Sequence, residues 1–598
     1  MTVEIDKNDK NISKFRNICI IAHVDHGKTT LVDNLRKASK SHSDKEEASM
    51  DQGLEEKRGI TILAKTTSFM YDDCHINIVD TPGHADFGGE VERIFNMIDT
   101  SILLVDAAEG VMPQTEFVVK KAILNKKKII VIINKIDKKD ARCEEVENEI
   151  FELLINSGYE QEPIFLYGSG REGFICKDLK IALSIQEHPE KKNMKDLLDV
   201  IKKSSPPKVL EGNDFIFSVN LIDSDKYFGK IVIGKIYSGV VNEGDTISVL
   251  DKNKDVKDTF RVLKIFKFVG ITKIPVSSAE KGDIIGIAGS KIATVNHTLT
   301  NNVHIEPITG IEIDPPTMSV DVLPNISPFK GKDGMLGKMT FNAIRERLIE
   351  EAHKNVAIRL EEITGRESLT LYGRGELQLG VIFETMRQEG FEFCVSQPKI
   401  LFKEDKSEPV EKVIIDLDDQ YMGVVIEKMR KRKGQHTNTT EFLGKTRLEF
   451  IIPTRFIMGF QNEFISLTRG TGVMNRSFIG YEPFYGDIES NENGFLIATE
   501  EGSVTFYALN KLSVGVFYVE PGNSVYKGMV VGENNKQNDL MVNVAKAKEL
   551  TNVRSAGKED TVTLPPPSIV TIENGMTKLR DKQYLEITPK RICIFYVK

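Results

Sequence analysis

One segment near the N-terminus restricts the fold of this chain more than any other. The apolar run NICIIA at 17–22 is followed by HVDHGKTT at 23–30 and by LVDNLRKA at 31–38. This order predicts a buried strand, a phosphate-binding loop whose N–H groups surround the phosphates of a nucleotide, and a helix. The general pattern opens with Gly, but Ala22 is tolerated here if its backbone is not left-handed. The segment therefore predicts an α/β nucleotide-binding domain.

The loop and a second strand supply groups that hold phosphate and Mg²⁺. We expect Lys28 to neutralise β- and γ-phosphate oxygens and the Thr29 hydroxyl to bind Mg²⁺. The apolar run INIVD at 76–80 ends in Asp80, which is placed to hold Mg²⁺ through water, and Gly83 can offer its N–H to the γ-phosphate. The predicted phosphate-binding residues are Asp25, His26, Gly27, Lys28, Thr29, Thr30 and Gly83.

Two further motifs indicate that the base is guanine. The apolar run IIVII at 129–133 leads into NKID at 134–137. Asp137 can accept hydrogen bonds from guanine N1 and N2, whereas adenine would leave its carboxylate unpaired, which argues against a metabolic P-loop ATPase. A backbone N–H of the turn at 169–170 can reach guanine O6. The predicted guanine-binding residues are Asn134, Lys135, Asp137, Ser169 and Gly170.

Length and composition place these motifs in a multidomain protein of the cytoplasm. The 598 residues exceed what one hydrophobic core supports, so we expect about four or five domains. No apolar run reaches the length of about 18 residues that a membrane helix needs, and the polar N-terminus does not read as a secretory signal. The six cysteines form no C-x-x-C pair, which is typical of reduced, incidental thiols. With a net charge of −8, any contact with RNA must come from local basic patches.

The remainder of the chain separates into strand-rich and mixed segments. The tripeptide SPP at 205–207 marks a linker, and the Val/Ile alternation with Gly-Asp turns that follows predicts a β-barrel. Two successive segments then read as strand–helix–strand–strand–helix–strand, the order of a ferredoxin-like layer. We therefore predict a multidomain α/β and β fold: a P-loop GTP-binding domain at 1–204, a β-barrel at 205–306, ferredoxin-like α+β domains at 307–405 and 406–489, and a mixed C-terminal domain at 490–598.

Several motifs together resemble those of the translational GTPases. HVDHGKT, RGITI at 58–62 and DTPGH at 80–84 are typical of that family, and GRGELQL at 373–379 and RGTGVM at 469–474 are similar to the BipA/TypA branch. Elongation factor G has a further domain between its two ferredoxin-like units, whereas this chain has only the short segment 396–409 there. A translocase is therefore not expected, and LepA, whose domain order is related, is the alternative.

The resemblance implies roles for four residues of the switch regions. Thr61 corresponds to the threonine that reaches Mg²⁺ and the γ-phosphate, and His84 corresponds to the residue that orients the attacking water. Val24 and Ile60 match the hydrophobic gate that flanks this histidine.

The resemblance also implies a monomeric GTPase that hydrolyses GTP on the 70S ribosome, beside rRNA and A-site tRNA, and acts in ribosome assembly and under stress. A GTP-gated ribosome-binding factor, in which hydrolysis only times release, shares every motif and stays open as an alternative.

Two basic segments are candidates for contact with rRNA. The first ends a predicted helix, where cations also favour the helix dipole, so a solvated helix end explains it equally well. The second lies in a polar, Gly-containing stretch that predicts a loop. The candidate rRNA contacts are Lys431, Arg432, Lys433, Lys546, Lys548 and Arg554.

The assignment of Asp137 to the base can be tested by changing the nucleotide preference. In Asp137→Asn the amide can donate to the 2-oxo group of xanthine, so GTP binding should weaken and binding of xanthosine triphosphate should improve. Fluorescence titration with both nucleotides measures this exchange. An unchanged preference for GTP would remove Asp137 from the base site.

Overall fold

The structure is a computed structural model that describes residues 14–23, 25–38, 65–81, 88–185, 192–225, 227–269, 272–308, 315–333, 337–355, 358–363, 365–442, 445–486, 493–512, 515–547 and 564–597. The chain forms two compact units, Met1–Asp314 with His353–Val356, and Pro315–Ala352 with Ala357–Lys598. None of the helices within the described ranges has both the length and the apolar character that crossing a bilayer requires.

The first unit begins with a sheet that carries helices on both faces. Its elements are β1 (Phe15–Ala22), α1 (Lys28–Ala38), β2 (Lys65–Tyr71), β3 (Cys74–Asp80), α2 (Gly88–Met97), β4 (Thr100–Asp106), α3 (Pro113–Leu124), β5 (Lys128–Asn134), α4 (Cys143–Asn156), β6 (Ile164–Ser169), β7 (Phe174–Cys176), α5 (Leu179–Ile185) and α6 (Lys195–Lys202). Because side chains alternate along a strand, Ile18 and Ile20 of β1 face one core with α1 and α6. Cys19 and Ile21 face a second core with α2, α3 and α4.

The strand order of this sheet brings the predicted site loops to one edge. The order is β2-β3-β1-β4-β5-β6-β7, in which β3, β1, β4, β5 and β6 run parallel. Both faces are covered, which explains the continuous apolar runs that the sequence shows. The loops that follow β1, β3, β4, β5 and β6 therefore all start at the carboxyl edge of the sheet, where ligands of such folds bind.

An antiparallel β-domain completes the first unit. Its strands are β8 (Ile216–Asp225), β9 (Gly229–Ser238), β10 (Val240–Asn242), β11 (Thr246–Leu250), β12 (Val256–Arg261), β13 (Lys264–Val269), β14 (Thr272–Val276), β15 (Ser278–Glu280), β16 (Ile284–Ala288) and β17 (Thr298–Thr300). Eight of them follow the order β12-β11-β17-β8-β9-β16-β13-β14 around a core of their own, and β10 pairs with β15. Val269 of β13 also pairs with Ser68 of β2, so the two sheets are joined.

A buried ion pair fixes the β-domain to the nucleotide-binding domain. Nζ of Lys235, on β9, lies 2.9 Å from both carboxylate oxygens of Asp99, just before β4. Both side chains are only 2% exposed. Burial lowers the pKa of Lys235, while the charge of Asp99 opposes this effect. The Lys208 backbone N–H also donates to Asp99 at 3.0 Å, which helps to satisfy the buried carboxylate.

The second unit contains the two predicted ferredoxin-like segments. The first comprises β18 (Met318–Pro324), α7 (Phe341–Lys354), β19 (Arg359–Glu362), β20 (Leu369–Gly373), α8 (Glu376–Gln388), β21 (Phe393–Ser396) and β22 (Lys399–Ile400). The second comprises β23 (Glu408–Asp418), α9 (Met422–Lys431), β24 (Gln435–Phe442), β25 (Lys445–Pro453), α10 (Thr454–Ile457), α11 (Phe460–Leu467) and β26 (Val473–Glu482). The order of strands and helices agrees with the predicted fold class in both segments.

The C-terminal residues extend the sheet of the first ferredoxin-like segment. Their elements are β27 (Phe495–Ala498), β28 (Gly502–Ser503), α12 (Phe506–Leu512), β29 (Val516–Phe517), β30 (Ser524–Val525), β31 (Val530–Glu533), β32 (Leu540–Val542), α13 (Ile572–Lys578), β33 (Gln583–Ile587) and β34 (Ile592–Tyr596). The sheet order β19-β20-β18-β21-β33-β34 joins two parts of the chain that are about 190 residues apart. Close contact between α8 and α13 supports this union, because a methyl group on Gly380 would lie 2.5 Å from the Glu573 carboxylate.

Loss of one partner of the buried Lys235–Asp99 pair should destabilise the first unit strongly. Asp99→Ala leaves the Lys235 ammonium buried without a counter-charge, which we expect to cost about 3–5 kcal/mol. Thermal unfolding followed by calorimetry should show a lower midpoint for the transition of this unit. The double variant Asp99→Ala/Lys235→Met should recover much of the loss, and a single variant as stable as the unmutated chain would contradict the interpretation.

Candidate functional site

The phosphate loop depends on two residues with left-handed backbone. Asp25 has φ +63° and Gly27 has φ +94°. A methyl group on Gly27 would lie 2.8 Å from Asn134 Nδ2, so glycine is required here for both conformation and space. Ala22 ends β1 in extended backbone, so its methyl group is accommodated as the sequence required. The Leu31 N–H donates to Gly27 O at 3.0 Å and continues the loop into α1.

Lys28 lies beside the carboxylate at the end of β3. Its Nζ is 3.3 Å from Asp80 Oδ1 and also donates to the Thr81 backbone carbonyl. Thr81 Oγ1 in turn donates to Ile20 O at 2.8 Å, which ties the start of the loop after β3 to β1. The ammonium that is predicted to hold phosphate and the carboxylate that is predicted to hold Mg²⁺ are therefore brought together.

The donor set of this edge fits Mg²⁺. Asp80 is almost fully buried at the end of β3, and Thr29 is half-buried in the first turn of α1. Mg²⁺ is usually bound by one or two protein oxygens, nucleotide phosphates and water. The Thr29 hydroxyl can supply a protein oxygen, and the Asp80 carboxylate can hold the ion through a water, as the sequence predicts.

Asn134 connects the phosphate loop to the turn after β6. Its Nδ2 donates to His26 O at 2.8 Å, and its Oδ1 accepts from the Gly170 N–H at 2.7 Å. Both ends of the buried amide are thus used within the protein. In this arrangement Asn134 fixes the positions of the two loops relative to each other. The Gly170 N–H donates to Asn134 and is not directed at guanine O6.

Asp106, at the end of β4, anchors the lysine of the NKID motif. Lys135 has φ +59°, and its Nζ lies 2.8 Å from Asp106 Oδ2 and 2.5 Å from Asp25 O. Lys138 Nζ lies 2.9 Å from the same carboxylate oxygen, and the Ala108 N–H donates to Oδ1 at 2.8 Å.

The pKa of Asp106 falls to about 2, because burial, which opposes ionisation, is outweighed by the hydrogen bonds that it accepts. The sequence prediction missed this residue. The signal was present, because TSILLVD at 100–106 ends an apolar strand in Asp, as INIVD does at 76–80.

The other predicted base residues differ in exposure. The Asp137 side chain is exposed, and no described residue hydrogen-bonds its carboxylate, so it can receive the base. Ser169 is buried, and its Oγ accepts from the Glu172 N–H at 3.2 Å. Ser169 therefore shapes the turn through its side chain.

The imidazole of His26 faces away from the phosphate position. It is fully buried, with Nδ1 3.3 Å from Leu104 O and Nε2 3.3 Å from Glu109 Oε2. The neighbouring imidazole lowers the pKa of Glu109. A role of His26 in phosphate binding is thus confined to its backbone N–H. Thr30 is exposed on the first turn of α1.

Several predicted residues lie outside the described residues. They are the gate residues Val24 and Ile60, the switch residues Thr61, Gly83 and His84, and the basic residues Lys548 and Arg554.

The basic end of α9 is engaged in contacts within its own segment. Arg432 donates to Glu463 at 2.7 Å and to Phe456 O at 3.0 Å. Lys433 donates to Tyr485 O at 2.8 Å, and Lys431 pairs with Glu427 one helical turn away at 2.6 Å. These contacts favour the structural explanation of the run. Lys546 is exposed in the C-terminal segment, where its backbone carbonyl accepts from Thr505.

Comparison with known protein families accounts for most of the chain. The family described as "Elongation factor Tu GTP binding domain" matches residues 13–207, and "Elongation factor Tu domain 2" matches residues 229–300. "Elongation factor G C-terminus" matches residues 406–492, and "TypA/BipA C-terminal domain" matches residues 493–596.

Curated relatives match over nearly their whole length. Each of the following is called "Large ribosomal subunit assembly factor BipA". The Synechocystis sp. protein is 40% identical over 590 residues, covering 96% of this chain and 97% of the relative. The Bacillus subtilis strain 168 protein is 40% identical and covers 96% and 95%. The Escherichia coli strain K12 protein is 38% identical and covers 98% and 96%.

A solved structure shows a similarity of fold. A crystal structure of a Thermus thermophilus protein superposes with a TM-score of 0.53 at 13% identity, covering 79% of this chain and 98% of that chain.

The anchoring role of Asp106 predicts a measurable loss of nucleotide affinity. Asp106→Asn removes the charge that holds Lys135 beside the phosphate loop, so the Kd for GDP should rise by about tenfold, the scale of one or two charged hydrogen bonds. Because the pKa of Asp106 is about 2, the affinity of the unmutated chain should not depend on this group between pH 5 and 8.

Lys138→Met is the matched control for this prediction, because it removes only the second cation on Asp106. Calorimetric titration should give a smaller change for it than for Asp106→Asn. Equal Kd values for all three proteins would show that Lys135 needs no anchor.

Proposed function

The chain belongs to the BipA/TypA family of translational GTPases, and from this premise we propose that it hydrolyses GTP while bound to the 70S ribosome and takes part in assembly of the large subunit. The observation that supports this most directly is the meeting of Lys28, Asp80 and the NKID loop at one edge of the sheet. The comparisons indicate a GTP hydrolase; the ribosome as its activator, rRNA and A-site tRNA as contacts, and the cytoplasm, a monomeric state and a role under stress belong to the proposal.

Nucleotide binding in this proposal divides between two groups of residues. Lys28 exchanges its contact with Asp80 for the β- and γ-phosphate oxygens, and the backbone N–H groups of the loop around Gly27 contact the phosphates. Asp137 receives guanine N1 and N2, while Asn134 and Asp106 keep the base loops in position. When Mg²⁺ is bound, it neutralises phosphate charge, and Thr29 and Asp80 would hold it.

Hydrolysis then requires an aligned water more than covalent help from the protein. The water oxygen bonds to the γ-phosphorus while the bond from that phosphorus to the bridging oxygen breaks. The proton that the water loses passes to the released phosphate or to solvent, and GDP and phosphate leave. We assign alignment of the water to His84, with Val24 and Ile60 holding the imidazole away until the ribosome is bound. This assignment rests on the resemblance of the motifs.

Two alternatives lead to different expectations. A LepA-like factor would carry a different C-terminal module, and the match of residues 493–596 to the "TypA/BipA C-terminal domain" does not favour it.

A GTP-gated binding factor would bind ribosomes tightly with GTP and show little stimulated turnover. The rate of hydrolysis with and without ribosomes separates this alternative from the proposal.

The His84→Ala variant tests the catalytic assignment. It should keep GTP and ribosome binding, because Lys28, Asp80 and Asp137 are unchanged. The ribosome-stimulated rate of phosphate release should fall by roughly a hundredfold or more, the scale of a misplaced reactant. A variant that hydrolyses GTP on 70S ribosomes at the unmutated rate would show that His84 is only a turn residue.

A further inference from the structure

A loop of the second unit presents lysines on an unusually well-anchored support. The loop, residues 325–333, follows β18 and has the sequence NISPFKGKD; we call it the lysine loop. Lys330 and Lys332 are exposed on it. Lys590 and Arg591, in the turn between β33 and β34, complete a basic patch of four residues: Lys330, Lys332, Lys590 and Arg591.

Two buried carboxylates of the underlying sheet region accept hydrogen bonds from the lysine loop. Glu392, before β21, and Glu586, on β33, are both 0% exposed. Asn325 Nδ2 lies 2.8 Å from an oxygen of each. Ser327 Oγ donates to Glu586 at 2.5 Å, and the Gly331 N–H donates to Glu392 at 2.7 Å. The loop is therefore fixed at both of its ends to the sheet that joins the ferredoxin-like segment to the C-terminal residues.

The aromatic ring of Phe329 contacts two of the four cations of the patch. Lys332 Nζ lies 4.0 Å and Arg591 Cζ 4.4 Å from the centre of this ring, which is itself buried. Arg591 Nε donates to Asp333 at 2.6 Å, so the guanidinium is partly neutralised. The attraction of each cation to the ring favours the observed positions of Lys332 and Arg591.

Within the part of the chain that the structure describes, the lysines of the patch have no carboxylate partner. No described carboxylate pairs with Lys330, Lys332 or Lys590. Other exposed lysines of the chain do pair, for example Lys254 with Glu306 and Lys399 with Asp321. In a chain whose net charge is −8, these exposed lysines make the outer face of the patch positive, while the negative charges of Glu392 and Glu586 lie buried beneath the loop.

We propose that the basic patch is a docking surface for the phosphate backbone of ribosomal RNA. This inference rests on the proposed function, because that function supplies the ribosome as the partner. Lysines on a rigid support bind phosphates without the entropic cost of ordering a loop. The aromatic side chain of the loop lies beneath the cations, so the patch offers charge rather than the aromatic anchor that is typical of protein interfaces.

The salt dependence of ribosome binding tests the patch. The full chain, loaded with a non-hydrolysable GTP analogue, is titrated with 70S ribosomes at several KCl concentrations. For Lys330→Ala/Lys332→Ala/Lys590→Ala we expect at least about tenfold weaker binding near 0.1 M salt. The negative slope of log affinity against log salt should become shallower by about 2, since three phosphate contacts are lost.

Two matched variants control for charge and for folding. Lys511→Ala/Lys527→Ala/Lys536→Ala removes three exposed lysines of the same unit that lie outside the loop and should bind within about twofold of the unmutated chain. Lys330→Arg/Lys332→Arg/Lys590→Arg keeps the charge and should keep most of the affinity. Unmutated affinity and slope for the alanine variant of the patch would overturn the inference alone, whereas an unmutated chain that does not bind ribosomes would overturn the proposed function as well.

Cross-linking distinguishes RNA from a ribosomal protein. All six cysteines are buried, so Lys332→Cys offers a selective site for a photoreactive group. On 70S ribosomes we expect adducts with rRNA, detected by primer extension. Adducts with ribosomal proteins only would overturn the assignment to RNA.

Discussion

The shared direction of five parallel strands is the constraint on which the nucleotide site depends. Each strand of the series β3, β1, β4, β5, β6 ends at the same edge, so residues that are far apart in the sequence start their loops side by side. Two polar side chains then fix the loops to each other. Asn134 ties the phosphate loop to the turn after β6, and Asp106 ties Lys135 to the end of β4. The sheet thus determines where each loop starts, and these two side chains determine how the loops lie relative to one another.

Sequence patterns predicted which motifs come together at this edge better than they predicted the side chains that hold the loops there. The position of Lys28 beside Asp80 follows from two apolar runs, each of which ends in a recognisable motif. The bridging role of Asn134 could not be predicted, because it depends on the distance between two loops that only folding fixes. Asp106 carried a usable signal at its strand end. For His26, a position within the motif did not reveal that the side chain turns into the core, which leaves its predicted phosphate contact to the backbone N–H.

Long-range sheet pairing was the part of the fold that the sequence left undetermined. The alternation of β33 and β34 predicts strands but does not identify their neighbour. Pairing of Val395 with Leu585 places the last strands of the chain beside β21. Buried polar groups at this seam, Glu392 and Glu586 among them, satisfy each other through Asn325 and thereby help to specify one partner strand. The segments 307–405 and 490–598, which the sequence alone divides into two domains, contribute strands to one sheet.

The buried Lys235–Asp99 pair has a consequence for how the first two domains can diverge. Neither residue can be exchanged alone without a stranded charge, so a graft of the β-domain onto another nucleotide-binding domain must bring a compatible residue on both sides. The Tyr237 hydroxyl also donates to Asn96 O across this boundary at 2.8 Å, but this bond requires only the tyrosine, because its acceptor is a backbone carbonyl. The GTP-binding domain and the β-domain should therefore be inherited together, because recombination between them separates the two partners of this ion pair.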